Sequence, residues 1–456
     1  MIITFSIANF RSFNEEVTFS MVASNRFSGS HENHLVSIPK SDASVLRAGV
    51  IYGANGAGKS NFFKALKFLR STALKGRSKG KGTGRDAFRL GAAQDKESSF
   101  DLQFMADEQL YRYGVVMDDE KIIEEWLLLI EGKREKVIYE RTTDAAGNVS
   151  VKGKGLKGTD KKLESLAEVG GPKEQSFLAT IRTTLERNSF NEPIRAVIDW
   201  FENNITLIEP DSNFLPLAHT LSEEPNFQSF ASEFLRASST GVDDLDVSKR
   251  ELTEEELEAY LPSRELYQHV LKNTEEKGKA IVGLGEDREV VVEKAGEHHY
   301  YLLTIQSVHA HEQDSSVRFD LSEESDGTRR LLNLIPALHR MQSKKGVFII
   351  DEVERSMHPL LIYKFLEFFL SGCSGSESQL IVTTHESHLL DQDLLRRDEI
   401  WFTEKDKRGS TQMYSLADFQ PRKDLKIGKH YLTGRFGAVP FLADMDKLIQ
   451  KEGAGG

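Results

Sequence analysis

The densest chemistry in the chain is Gly53-Ala54-Asn55-Gly56-Ala57-Gly58-Lys59-Ser60. This glycine, four residues, then Gly-Lys-Ser is the pattern of a phosphate cradle. Glycines let consecutive backbone N–H groups converge on phosphate oxygens, and a helix amino terminus adds partial positive charge. In that arrangement Gly53, Asn55, Gly56 and Gly58 shape the loop. Lys59 reaches the β- and γ-phosphates, and the Ser60 hydroxyl holds Mg²⁺.

A second cluster is Val347-Phe348-Ile349-Ile350-Asp351-Glu352, four apolar residues ending in two carboxylates. It reads as a buried parallel strand whose carboxyl end points at a ligand. Asp351 is placed to bind Mg²⁺, and Glu352 to orient and deprotonate an attacking water. The strand Leu380-Ile381-Val382-Thr383-Thr384-His385 follows, with His385 lying 33 residues after Glu352. Strand–helix–strand spacing of this kind makes parallel neighbours, so His385 and Glu352 should end at one sheet edge, His385 sensing a γ-phosphate. His358 and His388 are read as packing or surface residues. Ser325 and Gly327, 26 residues before Asp351, open a helix with the apolar face Leu331, Leu334, Ile335 and Leu338, where a hydroxyl and free N–H groups can receive an anion.

The elements that must position these groups are legible around them. Val45–Tyr52 is a short apolar strand leading into the cradle, and Phe62, Phe63, Leu66, Leu69 and Ala73 recur at helical spacing after it. Phe100–Val137 alternates like an antiparallel meander, with turns at Asp107-Glu108 and Asp118-Asp119. Residues 173–277 read as helical and broken by polar loops, with Pro262 interrupting one acidic stretch, and strand character returns at Val290-Val291-Val292 and Tyr300–Ile305. Lysine–glycine runs at 75–85 and from 152 read as flexible, solvated loops. Three parts follow: 1–150, the first half of the nucleotide-binding unit; 151–289, a helical insertion; and 290–456, the second half.

Composition narrows the function classes. The chain has 456 residues, 59 Lys and Arg against 71 Asp and Glu, and a net charge of −12. That acidity disfavours a nucleic-acid coat protein, which needs a basic face. Cys373 is the only cysteine, which rules out an internal disulfide and a multi-thiolate zinc site and fits a cytoplasmic location. No run of apolar residues reaches membrane-spanning length, so no membrane is expected, and the amino terminus is not a signal peptide by pattern.

The cradle, the Ser-x-Gly cap, the apolar-Asp-Glu strand and the Thr-His strand stand in one order, with an insertion after the first. Together with Asn9-Phe10-Arg11-Ser12-Phe13, Glu324-Ser325-Asp326-Gly327-Thr328 and Asp351–Pro359, they make the sequence resemble ABC-type ATPase heads of chromosome-organising (SMC) and break-repair proteins. Within that group it is most similar to the compact AAA-type ATPases of bacterial abortive-infection and phage-defence operons, PARIS-type ATPase subunits among them. The tail Ile400–Lys405 and Tyr431–Gly437 adds to the likeness.

The resemblance implies an α/β P-loop NTPase fold of ABC-ATPase-head type, with an antiparallel β meander and an inserted helical subdomain. It implies ATP and Mg²⁺ as ligands. It also implies a homodimer or higher homo-oligomer, in which the Ser325–Gly327 cap of one subunit closes over nucleotide on the Gly53–Ser60 loop of another. By the same likeness Arg11 touches a phosphate, and Glu354–His358 crosses between subunits. A glutamine that contacts Mg²⁺ is expected, with Gln94, Gln103 and Gln109 left open. The usual Leu-Ser-Gly-Gly-Gln cap reads Glu-Ser-Asp-Gly-Thr here, and two acids near a γ-phosphate predict slow turnover. The expected role is a sensor or scaffold in anti-phage defence that controls a separately encoded effector nuclease and is triggered by DNA or a phage protein. The competing reading is a DNA-binding repair-type clamp, motivated by the lysine–glycine loops.

Overall fold

The computed structural model describes residues 1–91, 96–156, 161–212, 214, 216–285, 287–295, 297–311, 315–343, 345–373, 376–419, 427–432 and 436–438. The first strands are β1 (Ile2–Ala8), β2 (Val17–Ser20), β3 (Leu35–Ser37), β4 (Ser44–Leu46) and β5 (Ala48–Tyr52). Helix α1 (Lys59–Leu74) precedes β6 (Ser98–Ala106), β7 (Gln109–Met117), β8 (Ile122–Glu131), β9 (Arg134–Thr143) and β10 (Val149–Lys152). Then come β11 (Ile205–Ile208), β12 (Asp244–Leu252), β13 (Lys279–Gly283), β14 (Arg288–Ala295), β15 (Glu297–His311) and β16 (Ser315–Asp320). The last are β17 (Val347–Ile350), β18 (Gln379–Thr384), β19 (Ile400–Lys405) and β20 (Thr411–Ser415).

The expected meander is present as part of a seven-stranded antiparallel sheet in the order β10-β9-β8-β7-β6-β1-β2. Asp107 and Glu108 join β6 to β7 in two residues with φ of 47° and 61°. Two left-handed residues match the right-handed twist of the flanking strands. Helix α1 buries the predicted face, and Phe62 meets Phe5 and Phe19 edge-on, with ring centroids 5.8 and 5.0 Å apart. Each such ring removed from water stabilises the packing by about 2 kcal/mol.

The site-bearing sheet has six strands in the order β11-β17-β18-β5-β19-β20. All neighbours are parallel except β19 and β20. Its central strands are buried on both faces, which is why they read as continuous apolar runs.

Contacts divide the chain into two units. One comprises Met1–Ile208, Lys345–Val353 and the described part of Leu366–Gly456; the other comprises Glu209–Lys344 and Glu354–Phe365. Residues 151–208 pack in the first unit because β11 extends the parallel sheet and the Phe177–Thr184 helix seats on the meander. The second unit has the expected helices, including Glu254–Tyr260 and Arg264–Lys277 on either side of Pro262. It also holds an antiparallel sheet, β12-β15-β14-β13 with β16 on β15. Strands β14 and β15 contain the two runs read as strand, whereas β12 lies inside the segment read as helical.

The lysine–glycine loops are more anchored than their composition suggests. Thr83 is buried and donates to the Asp118 carbonyl, Arg85 pairs with Asp119 at 2.6 Å, and Arg77 lies over the Phe68 ring. Lys75, Lys79 and Lys81 remain exposed. Gly153 and Gly155 press their backbones on Ile138, where a Cβ would come within 2.1 and 2.9 Å of its atoms. Residues 157–160 of that run lie outside the described residues. Among the described residues, no helix is long and apolar enough to cross a membrane.

One buried carboxylate ties the meander to the Phe177–Thr184 helix. Glu125 accepts from the Tyr139 hydroxyl at 2.7 Å and from the Phe177 and Leu178 amides at 2.6 and 3.2 Å. Burial pushes its pKa up, with Arg141 and these donors opposing. A raised folded-state value makes its contribution to stability full at low pH and lost as pH rises through that value. The melting temperature of the wild type should therefore fall relative to Glu125→Gln as pH rises above the ordinary carboxylate range. A flat or rising difference in calorimetry would contradict this.

Candidate functional site

The Gly53–Gly58 loop leaves the buried strand β5 and enters α1, as the sequence requires. Gly56 and Gly58 have φ of 77° and 116°, a region in which a side chain is strained. Close approach adds a second constraint: a Cβ on Gly58 would lie 2.3 Å from Thr411 Oγ1, and one on Gly53 would lie 2.3 Å from Thr403 Oγ1. Lys59 is 6% exposed, and its ammonium donates to the Gly53 carbonyl at 2.6 Å and the Ala54 carbonyl at 3.3 Å. The charge is thus held within the loop that would receive phosphate.

Register places the other groups at the same edge. Thr384 pairs with Tyr52, so His385 and Gly53 leave adjacent strands together, and Ile350 pairs with Val382, which sets Asp351 beside Thr383. Strands β17 and β18 are the parallel neighbours expected from their spacing. His385 is exposed, as are His358 and His388.

The acid pair is organised by a hydroxyl the sequence analysis did not single out. Thr383 Oγ1 donates to Asp351 Oδ1 at 2.5 Å and accepts from the Glu352 amide at 2.9 Å. The Val353 amide adds a bond to the Thr383 carbonyl at 3.1 Å. These bonds hold Glu352 at φ 49°, a left-handed conformation that costs a non-glycine residue about 1 kcal/mol. Asp351 is buried, whereas Glu352 is half-exposed.

Arg11 sits at φ 52° and pairs with Asp86 at 3.3 Å. Its neighbour Ser12 makes the link to the cradle: Thr411 Oγ1 bonds to Ser12 Oγ at 2.8 Å and to the Ala57 carbonyl at 2.9 Å, and Asn61 donates to Ser12 Oγ at 2.8 Å. Gln103 lies in mid-strand on β6, between Thr4 and Arg112, and Gln109 begins β7. Gln94 and residues 433–435 lie outside the described residues.

Ser325 and Gly327 belong to the second unit. Ser325 is exposed, and its Oγ accepts from the Thr328 amide at 3.1 Å and bonds to Thr328 Oγ1 at 2.9 Å, an N-cap geometry. Gly327 packs on the loop after Glu352, where a Cβ would lie 2.7 Å from the Ser356 carbonyl. The flanking acids are both engaged. Glu324 is bound by Ser307 and His309, and Asp326 pairs with Arg329.

Oxygen donors suit the expected cation. A serine hydroxyl at a helix start and a buried aspartate are hard oxygen donors of the kind that would suit Mg²⁺. The Lys59 ammonium, bonded to the Gly53 and Ala54 carbonyls, is the matching partner for phosphate.

A glycine cradle between strand and helix at the carboxyl edge of a parallel sheet, with an acid pair two strands away, defines an α/β P-loop NTPase of ABC-ATPase-head type. The chain belongs to the family described as "AAA domain, putative AbiEii toxin, Type IV TA system", whose profile matches residues 50–391. That is an ATPase family, and its members generally use ATP and Mg²⁺. No curated protein matches the chain. Similar solved structures include the SMC head domain from Thermotoga maritima, 12% identical over 91% of this chain and 98% of that one, TM-score 0.39. An SMC head bound to the C-terminal winged-helix domain of ScpA is 14% identical over 91% and 97%, TM-score 0.40. An SMC head with an extended coiled coil bound to the C-terminal domain of ScpA, from Pyrococcus furiosus, is 13% identical over 91% and 96%, TM-score 0.34.

Proposed function

We propose that this chain hydrolyses ATP at a site completed by a second copy of itself, and that the nucleotide-closed dimer is the signal it passes on. The observation that carries the reading is the gathering of Gly53–Ser60, Asp351, Glu352 and His385 at one edge of the parallel sheet, while the exposed Ser325 turn belongs to a separate contact unit. Lys59 and the loop amides bind the phosphates. Ser60 and Asp351 would hold Mg²⁺, which would supply positive charge to the bound triphosphate. Glu352 takes the proton from the attacking water, and His385 contacts the γ-phosphate. Ser325 and Gly327 of the partner close the far side, with Arg11 as a further phosphate contact. ATP-dependent association of a Glu352→Gln chain tests this assignment.

At the level of biology, the reading is a cytoplasmic sensor or scaffold in anti-phage defence that controls an operon-encoded effector nuclease and responds to DNA or a phage protein. Its support is the family description, which names a toxin system, together with the sequence resemblance. The purified chain should leave DNA and RNA intact over hours with ATP and Mg²⁺. Degradation by the chain alone would place the nuclease here instead. Anchoring of the 75–85 loop by Thr83, Arg85 and Arg77 leaves three exposed lysines there for the DNA-clamp alternative.

A further inference from the structure

The residue preceding Ser325 is a glutamate, where the cap pattern of the resembling ATPases has leucine. An apolar side chain there would need only a pocket, but a carboxylate needs donors. The fold provides them: Glu324 is 10% exposed, and its Oε1 accepts from Ser307 Oγ at 2.5 Å and from His309 Nε2 at 2.6 Å. A carboxylate only accepts, so Nε2 carries the proton. Both donors stand on β15, two residues apart and therefore on the same face of the strand.

The backbone around Glu324 is held as well. Its amide donates to the Leu321 carbonyl at 3.1 Å, and Asp320 and Glu323 form a capping box on the turn before it. Glu324 is extended, with φ −75° and ψ 161°, so the anchored side chain and the next residue point to different sides. Anchoring Glu324 to β15 thus presents the Ser325 hydroxyl on the exposed side, and it keeps one of the two cap acids away from an incoming phosphate.

We propose that Glu324, latched to Ser307 and His309, is a positioning residue that presets the Ser325–Gly327 turn for the γ-phosphate of nucleotide bound by a second copy. The inference rests on the dimer reading above. Releasing the latch frees a carboxylate beside the cap and loosens the turn, while the phosphate loop that binds ATP in the same chain is untouched. The damage therefore falls on closure and turnover, and not on the first binding of ATP.

The test measures steady-state ATP hydrolysis, and ATP-dependent association in a Glu352→Gln background, for Glu324→Ala, Glu324→Gln and Ser307→Ala. Glu324→Ala should lower kcat about tenfold or more with KM changed less than about twofold, and should weaken association of the Glu352→Gln chain by about tenfold. Glu324→Gln keeps the Oε1 acceptor and should retain at least about half of the turnover, with Ser307→Ala in between. Equal melting temperatures for Ser307→Ala and the wild type would separate the effect from misfolding. A kcat that does not fall, a KM that rises in step with the loss, or a Gln variant as damaged as Ala overturns the latch. If Glu352→Gln associates and Glu324→Ala leaves that unchanged, the latch alone fails. If Glu352→Gln never associates, the dimer reading fails and the latch falls with it.

Discussion

A Lys59→Ala chain is expected to bind ATP at least about 30-fold more weakly than the wild type, because truncating one partner of a buried charged hydrogen-bond set costs about 2–5 kcal/mol. The Lys59 ammonium is the cation the structure places inside the loop, buried and bonded to the Gly53 and Ala54 carbonyls. Without it, those carbonyls would face phosphate oxygens with nothing to offset them. Alanine is a strong helix former, so α1 should persist, and circular dichroism can verify that. Titration calorimetry reads the affinity. Binding within about threefold of wild type would mean that nucleotide does not sit on this loop.

The second large effect is kinetic. Glu352→Gln should leave ATP affinity near wild type and reduce turnover by about 10²–10⁴-fold, the range a positioned general base contributes. Glutamine has nearly the same shape, and the amide bond to Thr383 Oγ1 that holds this residue at φ 49° does not involve the side chain. Nucleotide should then accumulate unhydrolysed, so light scattering after chromatography with ATP and Mg²⁺ should show a mass of two chains. A monomeric peak at saturating ATP would rule out the site between copies. Retained turnover would rule out Glu352 as the base.

Much of the site was legible because its chemistry is local in sequence. Eight consecutive residues specify the cradle, since backbone N–H groups and a helix start are produced by neighbours along the chain. The candidates Asp351-Glu352 and His385 are marked in the same way, each at the end of an apolar run whose length and spacing imply the parallel strands seen in the fold. The Ser12–Thr411 contact spans 399 positions, and no local pattern announces it. Thr383 lay within a strand already noted, but its double bond to the acid pair depends on β17 and β18 meeting in one register. Strand β12, Asp-Leu-Asp-Val-Ser-Lys-Arg-Glu-Leu, is too polar to read as one, and nine pairs with β15 create it.

The two kinds of information separate along a physical line. Sequence alone determined the phosphate loop, the order of the acid and histidine strands, the meander and the helix break at Pro262, because each follows from short-range sterics and hydrophobic period. Tertiary structure decided which threonines brace the acids, that the 75–85 loop is anchored, where the chain divides into units, and that Glu324 turns toward β15. Those outcomes depend on donors and acceptors contributed by distant segments, and a one-dimensional pattern carries no record of which segments will meet.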